Sequence, residues 1–274
     1  MFGHQYNHGV IRKYIIMFGN MFNDITVTRT DNNNSRIQAI RVPIAYGPKE
    51  KFLARLRQDP QLNRQVATQL PRLSFEITNM SYSPNRSLNK MSKNVSVGAG
   101  NRTLARQFTP VPYDINVSLY GMFSFQEDAV QVVEQILPFF RPEWTNSMKL
   151  VNEMGQYYDI PTVLEGMTIE DTYDSDFQTR RAIIYTFNFM IKGYIFGPVQ
   201  NKGIIKRTIV NSYDNESYDP TIPKIHTTTL TPGLTSSGTP TGNTSQSVPI
   251  TTIDAEDDYG FAFEREDFFN GTGE

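Results

Sequence analysis

Glu127-Asp128-Ala129-Val130-Gln131-Val132-Val133-Glu134-Gln135-Ile136-Leu137-Pro138-Phe139-Phe140-Arg141-Pro142 is the stretch on which the fold turns. Ala129, Val130, Val133, Ile136 and Leu137 recur at three- and four-residue spacing, which predicts one apolar helix face. Glu127 and Asp128 suit the positive end of the helix dipole, and Pro138 stops the hydrogen-bond ladder. Long alternating runs lie on both sides. Before the helix, Tyr113, Ile115, Val117 and Leu119 alternate with Asp114, Asn116, Ser118 and Tyr120, the period of a half-buried strand; after it, Ile183, Tyr185, Phe187, Phe189 and Ile191 alternate with Ile184, Thr186, Asn188, Met190 and Lys192. Strand, helix and strand are the predicted core. A polar residue at Phe187 or Val133 then forfeits a burial worth roughly 1.5–3 kcal/mol.

Working outward, Val10, Ile11, Tyr14, Ile15, Phe18 and Phe22 predict a first helix with an aromatic face. Residues 25–29 and 36–44 predict a hairpin with a polar tip, and the switch of apolar parity between Ala39 and Ile40 predicts a bulge in its second strand. Pro48 opens a second helix, and residues 61–70 predict another short one. Leu73, Phe75 and Ile77 predict a strand. Residues 144–158 read as irregular, with a further strand at Val163, Met167 and Ile169 and an edge strand at 204–210. Residues 81–113 hold Arg86, Lys90, Lys93, Arg102 and Arg106 and no acidic residue before Asp114, and read as a long basic loop. The expected class is α+β: a mixed, mostly antiparallel sheet flanked by helices, with that long basic loop and a flexible acidic C-terminal arm. The expected division is a core over 1–210 and an extension over 211–274, in which the Thr, Ser, Pro and Gly of 226–252 predict a linker. Tyr259, Phe261, Phe263, Phe268 and Phe269 then form an aromatic tip amid acid, the pattern of a docking segment.

A chain of 274 residues buries a core without covalent staples, and it has no cysteine, which excludes disulfides, thiolate metal sites and cysteine nucleophiles. No basic-then-apolar leader opens it and no apolar run has membrane-spanning length, so a soluble protein that stays in the cytoplasm until assembly, without membrane contact, is expected. The net charge of −2 conceals an asymmetry: residues 1–210 hold 24 Lys+Arg against 17 Asp+Glu, and residues 211–274 hold 2 against 11. A basic body with an acidic tail favours docking onto surfaces of complementary sign.

Chemistry is thinly represented. His4 and His8 have helical spacing for a metal but no third ligand nearby, and incidental histidines are the expected reading; His226 falls in the predicted linker. Glu170, Asp171, Asp174 and Asp176 lack the ligand spacing of a calcium loop and read as a solvated turn. Phosphate-binding glycine motifs and nucleophile elbows are missing from the sequence. The expectation is a non-enzyme with no catalytic, cofactor or metal residues. The basic loop 81–113 supports an alternative, a nucleic-acid-binding protein, because lysine and arginine bind phosphate through counterion release.

Several segments together carry a resemblance. Met1-Phe2-Gly3 with Tyr6-Asn7, Arg41-Val42-Pro43-Ile44-Ala45-Tyr46 before Lys49-Glu50, Leu70-Pro71-Arg72, the stretch Gln131 to Pro142, Arg180-Arg181, Gly193-Tyr194 and Pro198 stand in collinear order up to about Val210. In them the chain resembles the tail sheath stabilisation and completion proteins, or tail terminators, of T4-like contractile-tailed bacteriophages. The resemblance implies a structural virion protein forming a six-fold ring at the head-proximal end of the tail. Its implied partners are further copies of itself, the tail sheath protein, the tail tube terminator and the head-neck completion proteins, with a passing contact with genomic DNA. The Thr/Ser/Pro-rich tail lies outside the resemblance. A ring that closes head-to-tail needs two different complementary surfaces, and a basic body with an acidic tail supplies them.

Overall fold

A computed structural model describes residues 5–30, 36–58, 70–97, 103–172, 182–203, 205–213, 224–255 and 257–268. In order, the chain forms α1 (Val10–Met21), β1 (Thr26–Thr30), β2 (Arg36–Arg41), β3 (Ile44–Tyr46), α2 (Lys49–Gln58), β4 (Arg72–Tyr82), β5 (Lys93–Val97), β6 (Thr103–Phe108), β7 (Val111–Phe123) and α3 (Gln126–Ile136). There follow β8 (Glu143–Lys149), β9 (Tyr157–Thr172), β10 (Ala182–Ile195), β11 (Gln200–Gly203), β12 (Thr208–Tyr213), β13 (Lys224–Gly233) and β14 (Gly260–Asp267). The expected α+β class is overturned. The described residues are predominantly strand, arranged in four sheets with three short helices, rather than one sheet flanked by helices.

The chain divides into two compact units, one of residues 1–92 with 108–197 and a second of 93–107 with 198–274. The first unit holds the six-stranded sheet β3-β4-β7-β10-β9-β8, in which β3 and β4 run parallel and every other neighbouring pair is antiparallel. The long strands β7 and β10 lie side by side at its centre, in register from Val111–Ile195 to Phe123–Ile183. Their odd-numbered residues from Ile115 to Phe123 and from Ile183 to Ile191, among them Leu119, Phe187 and Phe189, are all but fully buried. Against that face α1 sets Tyr14 and Phe18, both with no exposed surface; the Phe18 ring lies 5.1 Å from Phe75 and 5.3 Å from Phe189. Gly193 is glycine because a Cβ there would press 3.1 Å from the Tyr14 ring. The Tyr14 hydroxyl donates to Tyr194 O at 2.9 Å and accepts from Tyr194 N at 2.8 Å, so helix and strand are also joined by polar contacts. On the opposite face Phe52 of α2 packs with Tyr120 and Met122.

The expected central helix is present as α3, but its inward face is set one position away from the apolar one. Asp128, Ala129, Val132 and Ile136 are buried, whereas Val130 and Leu137 are each 41 % exposed. Polar groups cause the rotation. Asp128 is taken inside by Arg29, whose Nη2 lies 2.8 Å from its Oδ2. Gln131 and Gln135, one turn apart, face the outer edge of β1: the Gln131 amide accepts from Thr28 N and donates to Thr28 O, both at 2.9 Å, and Gln135 donates to Thr26 O at 2.8 Å and accepts from Thr26 N at 3.3 Å. Two side-chain amides thus stand where a further strand would pair. The hairpin of β1 and β2 shifts register between Arg29 and Thr30 rather than at Ala39 and Ile40. The expected helix over 61–70 falls almost wholly on residues 61–69, outside the described residues.

Apart from β12, which overlaps the edge strand expected over 204–210, the second unit is built from segments expected to be irregular. The basic loop 81–113 is not a loop: β5 and β6 join β11 in the sheet β11-β6-β5, with Arg106 opposite Gln200. The flexible acidic arm is a strand, β14, paired along its whole length with β13 in the sheet β12-β13-β14, and β13 lies in what was expected to be linker. Residues 144–158 likewise supply β8 and the start of β9. These strands are rich in Thr and Ser and show little apolar alternation. What orders them is backbone pairing and β-branched side chains, a signal that hydrophobic periodicity does not register.

Candidate interaction surfaces

The sheet β12-β13-β14 has one covered face and one open face. Ala262 is fully buried on the covered side, under the segment from Leu234 to Ile253. That segment is held by Thr241 N donating to Gly233 O at 3.1 Å, by Val248 N donating to Leu234 O at 2.8 Å, and by the Lys206 ammonium donating to the carbonyls of Ile250 and Ile253 at 3.2 and 2.5 Å. Gly233 and Gly260 face each other across β13 and β14, and the backbone of Thr241 lies over both. A Cβ on Gly260 would come within 2.9 Å of Thr241 O, and one on Gly233 closer still. On the open face Phe261 and Phe263 alternate with the covered Ala262 and sit beside Pro232 and Leu230 of β13. Phe261 is 66 % and Phe263 58 % exposed. The Tyr259 ring stands at a right angle to that of Phe261 with centroids 6.0 Å apart, and Phe268 is also exposed. Phe269 lies outside the described residues. Two phenylalanines held open on a paired strand, with Glu264, Glu266 and Asp267 after them, make an aromatic surface with an acidic border.

The basic residues do not gather. Arg86 ends a 3-10 turn in the first unit and is engaged there: Nη2 lies 2.6 Å from Asp114 Oδ1 and donates to Tyr113 O at 3.0 Å, while the guanidinium stands over the Tyr194 ring at 5.4 Å. Lys90 is exposed in the turn that follows. Lys93 and Arg106 belong to the second unit, exposed on β5 and β6, and Arg102 is outside the described residues.

A third surface had no signal strong enough to find it in the sequence. In the first unit a groove of about 1060 Å³ runs between α1, the 3-10 turn after α3 and strand β8. Ile16, Phe139 and Trp144 line it while remaining 52 %, 59 % and 39 % exposed, and the last two rings meet edge to face at 5.6 Å. The only hint was that Ile16 falls off the buried stripe of its helix.

Candidate reaction chemistry is occupied by structure. His8 Nε2 is 2.9 Å from Gly197 O and His226 Nε2 is 2.9 Å from Ser212 Oγ; His4 lies outside the described residues. Glu170 pairs with Lys49 at 3.1 Å, and Asp174 and Asp176 are outside the described residues. Among the described residues no group of three or more His, Asp or Glu is placed to hold a metal ion. Burial raises the Tyr14 hydroxyl well above the ordinary tyrosine range. Burial, then the Glu76 carboxylate that accepts its proton at 3.0 Å, push Tyr120 up to about 12. Both are packed inside the first unit, where Tyr14 ties α1 to β10 and Tyr120 ties β7 to β4. Among the described residues, exposed apolar surfaces rather than converging reactive groups are the prominent features.

Comparison with known proteins agrees with that character. Residues 5–265 match the family described as the T4-like virus Myoviridae tail sheath stabiliser. The tail completion protein gp15 of Enterobacteria phage T4 is 30 % identical over 223 residues, spanning 78 % of this chain and 80 % of that protein. The match reaches into β14, so the C-terminal sheet belongs to the shared region, beyond the limit near Val210 that the motifs set.

Proposed function

The chain belongs to the tail sheath stabiliser family of T4-like viruses and is a structural protein of the phage tail, and from that premise we propose that it forms a ring at the head-proximal end of the contractile tail. In this reading six copies close head-to-tail, cap the last ring of extended sheath and the tube terminator beneath it, and give the neck proteins of the head a surface to join. The observation that carries it is the family match from residue 5 to 265, which takes in strands of both units. The surfaces support it: an aromatic strand face, an apolar groove and exposed lysine and arginine on a small sheet are of different kinds, as contacts with different partners require. The alternative of nucleic-acid contact keeps Lys90, Lys93 and Arg106 but loses Arg86 to Asp114.

Electron microscopy of tails from an infection lacking this protein tests the proposal. Sheaths that contract or fall away, on tails that fail to join heads, are expected. Intact tails on filled heads would overturn it, and a steep fall of DNA affinity with salt for the isolated protein would then favour the nucleic-acid reading.

A further inference from the structure

The sheet β12-β13-β14 ends in two open edges, since among the described residues no strand pairs with the outer side of β12 or of β14. The ladder shows which groups those edges offer. Phe268 N donates to Ile225 O at 2.8 Å, across the β13–β14 ladder. Antiparallel pairing alternates, so the even-numbered residues of β14 turn their backbone groups to β13, while Phe261, Phe263, Arg265 and Asp267 turn theirs outward. By the same alternation the even-numbered residues of β13 serve β12, which leaves the amides and carbonyls of Ile209 and Asn211 pointing out.

The edge of β14 is not blunted in the way the six-stranded sheet blunts its own, and the one register shift of β12 falls at its C-terminal end, between Ser212 and Tyr213. In the first unit, β4 bulges between Ile77 and Asn79 where it runs past β3, and the ladder of β9 is irregular opposite Asn188 and Phe189 where β9 runs past β8. Bulges at free edges deter unwanted pairing. By contrast β14 keeps an unbroken register from Gly260 to Asp267 and contains no proline. Its Phe261 and Phe263 are open, and so are Ile209 and Val210 on β12, each 53 % exposed.

The edges also differ in charge. Glu264, Glu266 and Asp267 stand on β14, where Arg265 pairs with Asp267, and Asp254, Asp257 and Asp258 precede it, whereas β12 has no charged residue and follows Arg207. Identical edges would join two copies about a two-fold axis; two unlike, complementary edges suit a head-to-tail contact that repeats. Within the sheet β12 and β14 run in the same direction, because each is antiparallel to β13. A repeated copy therefore sets β14 beside the next β12 as a parallel pair.

We infer that the outer edge of β14 in one copy hydrogen-bonds to the outer edge of β12 in the next, so that one continuous sheet joins neighbouring subunits. The inference rests on the ring proposed above and names the strands that close it. Lacking any cysteine, the chain is suited to a direct test. Val210→Cys places an exposed thiol on β12 and Arg265→Cys places one on β14, both on the open face of the sheet. Tails are isolated from an infection complemented by the double variant, treated with a short bis-maleimide and run on a denaturing gel. A ladder of covalent multimers from the double variant, with monomers alone from either single variant, is expected. Rings visible in the micrographs of those tails without any multimer would overturn the strand pairing and leave the ring standing. Tails without a ring would overturn both. As a second measurement, Phe263→Pro removes an outward N–H that no partner among the described residues uses, so folding, read by circular dichroism, persists while ring formation is lost. Rings formed by Phe263→Pro as readily as by the unaltered protein would also overturn the pairing.

Discussion

Replacing Gln131 by alanine removes two short backbone hydrogen bonds at one stroke, since its amide both accepts from Thr28 N and donates to Thr28 O at 2.9 Å, along with a longer one from the Thr28 hydroxyl at 3.4 Å. Thr28 is half-buried beneath α3, so its orphaned N–H and C=O regain water only in part. With about 1–3 kcal/mol for each buried polar group left unpaired, and some of that recovered by solvent, the loss should be about 2–4 kcal/mol. Denaturant unfolding followed by circular dichroism measures it against Val130→Ala, an exposed position on the same helix that should stay within about 0.5 kcal/mol of the unaltered protein. Gln131→Glu sharpens the test. A carboxylate can accept from Thr28 N but repels Thr28 O, whereas a neutral carboxyl can make both contacts. The folded state thus favours the protonated acid and raises its pKa above the usual value of about 4.3. Stability of this variant should be near that of the unaltered protein below about pH 4 and fall as pH rises through the raised pKa. A loss below about 0.5 kcal/mol for Gln131→Ala, or a Gln131→Glu variant whose deficit does not depend on pH, would refute the view that side-chain amides carry this edge.

Phe187→Ala empties a fully buried site between β7 and β9 and should cost about 3–5 kcal/mol, read as a lower denaturant midpoint. Gly233→Ala drives a Cβ into the Thr241 carbonyl, so the segment from Leu234 to Ile253 should come away from its sheet and become the first site of limited proteolysis; an unchanged digestion pattern would refute that packing. Burial raises the pKa of Tyr14 in the folded state above the unfolded value of 10.0, so the stability it contributes is complete below pH 10 and declines as pH rises beyond it. Tyr14→Phe should lower stability by about 1–3 kcal/mol at neutral pH, through the lost contacts at Tyr194, and flatten the alkaline decline in a series of thermal melts.

The parts of the fold legible beforehand are those where burial and hydrophobicity coincide. β7 and β10 are read from alternation because their odd-numbered side chains face a deep core, and α1 is read from Val10, Tyr14 and Phe18 for the same reason. The face of α3 was misread because three of its inward or edge-facing groups are polar. Asp128 is buried by an ion pair, and Gln131 and Gln135 are engaged by a strand just over a hundred residues earlier, and neither cause appears in local sequence. The second unit was misread for a complementary reason. Its strands cover little core, so Lys93–Val97, Lys224–Gly233 and Gly260–Asp267 look polar and irregular until their partners are known. Of the surface residues, Tyr259, Phe261 and Phe263 stood out as aromatics among acids, while the groove at Ile16, Phe139 and Trp144 depends on three separate segments meeting.

The pairing of β6 with β11 has a consequence for the order in which the protein is made. Arg106 and Gln200 are neighbours in the ladder but nearly a hundred residues apart, with β7 to β10 encoded between them. At the usual synthesis rate of ~5–20 residues per second, a nascent chain holds β5 and β6 for roughly 5–20 s before their partner leaves the ribosome. The central sheet of the first unit has all its strands by residue 195, before β11 exists. The first unit can thus fold while the second waits as a lone basic stretch, whose charge opposes association between neighbouring chains on the same message. Because β14 follows β11, β12 and β13 in the chain, the acidic edge of the C-terminal sheet is completed after every other described strand has emerged.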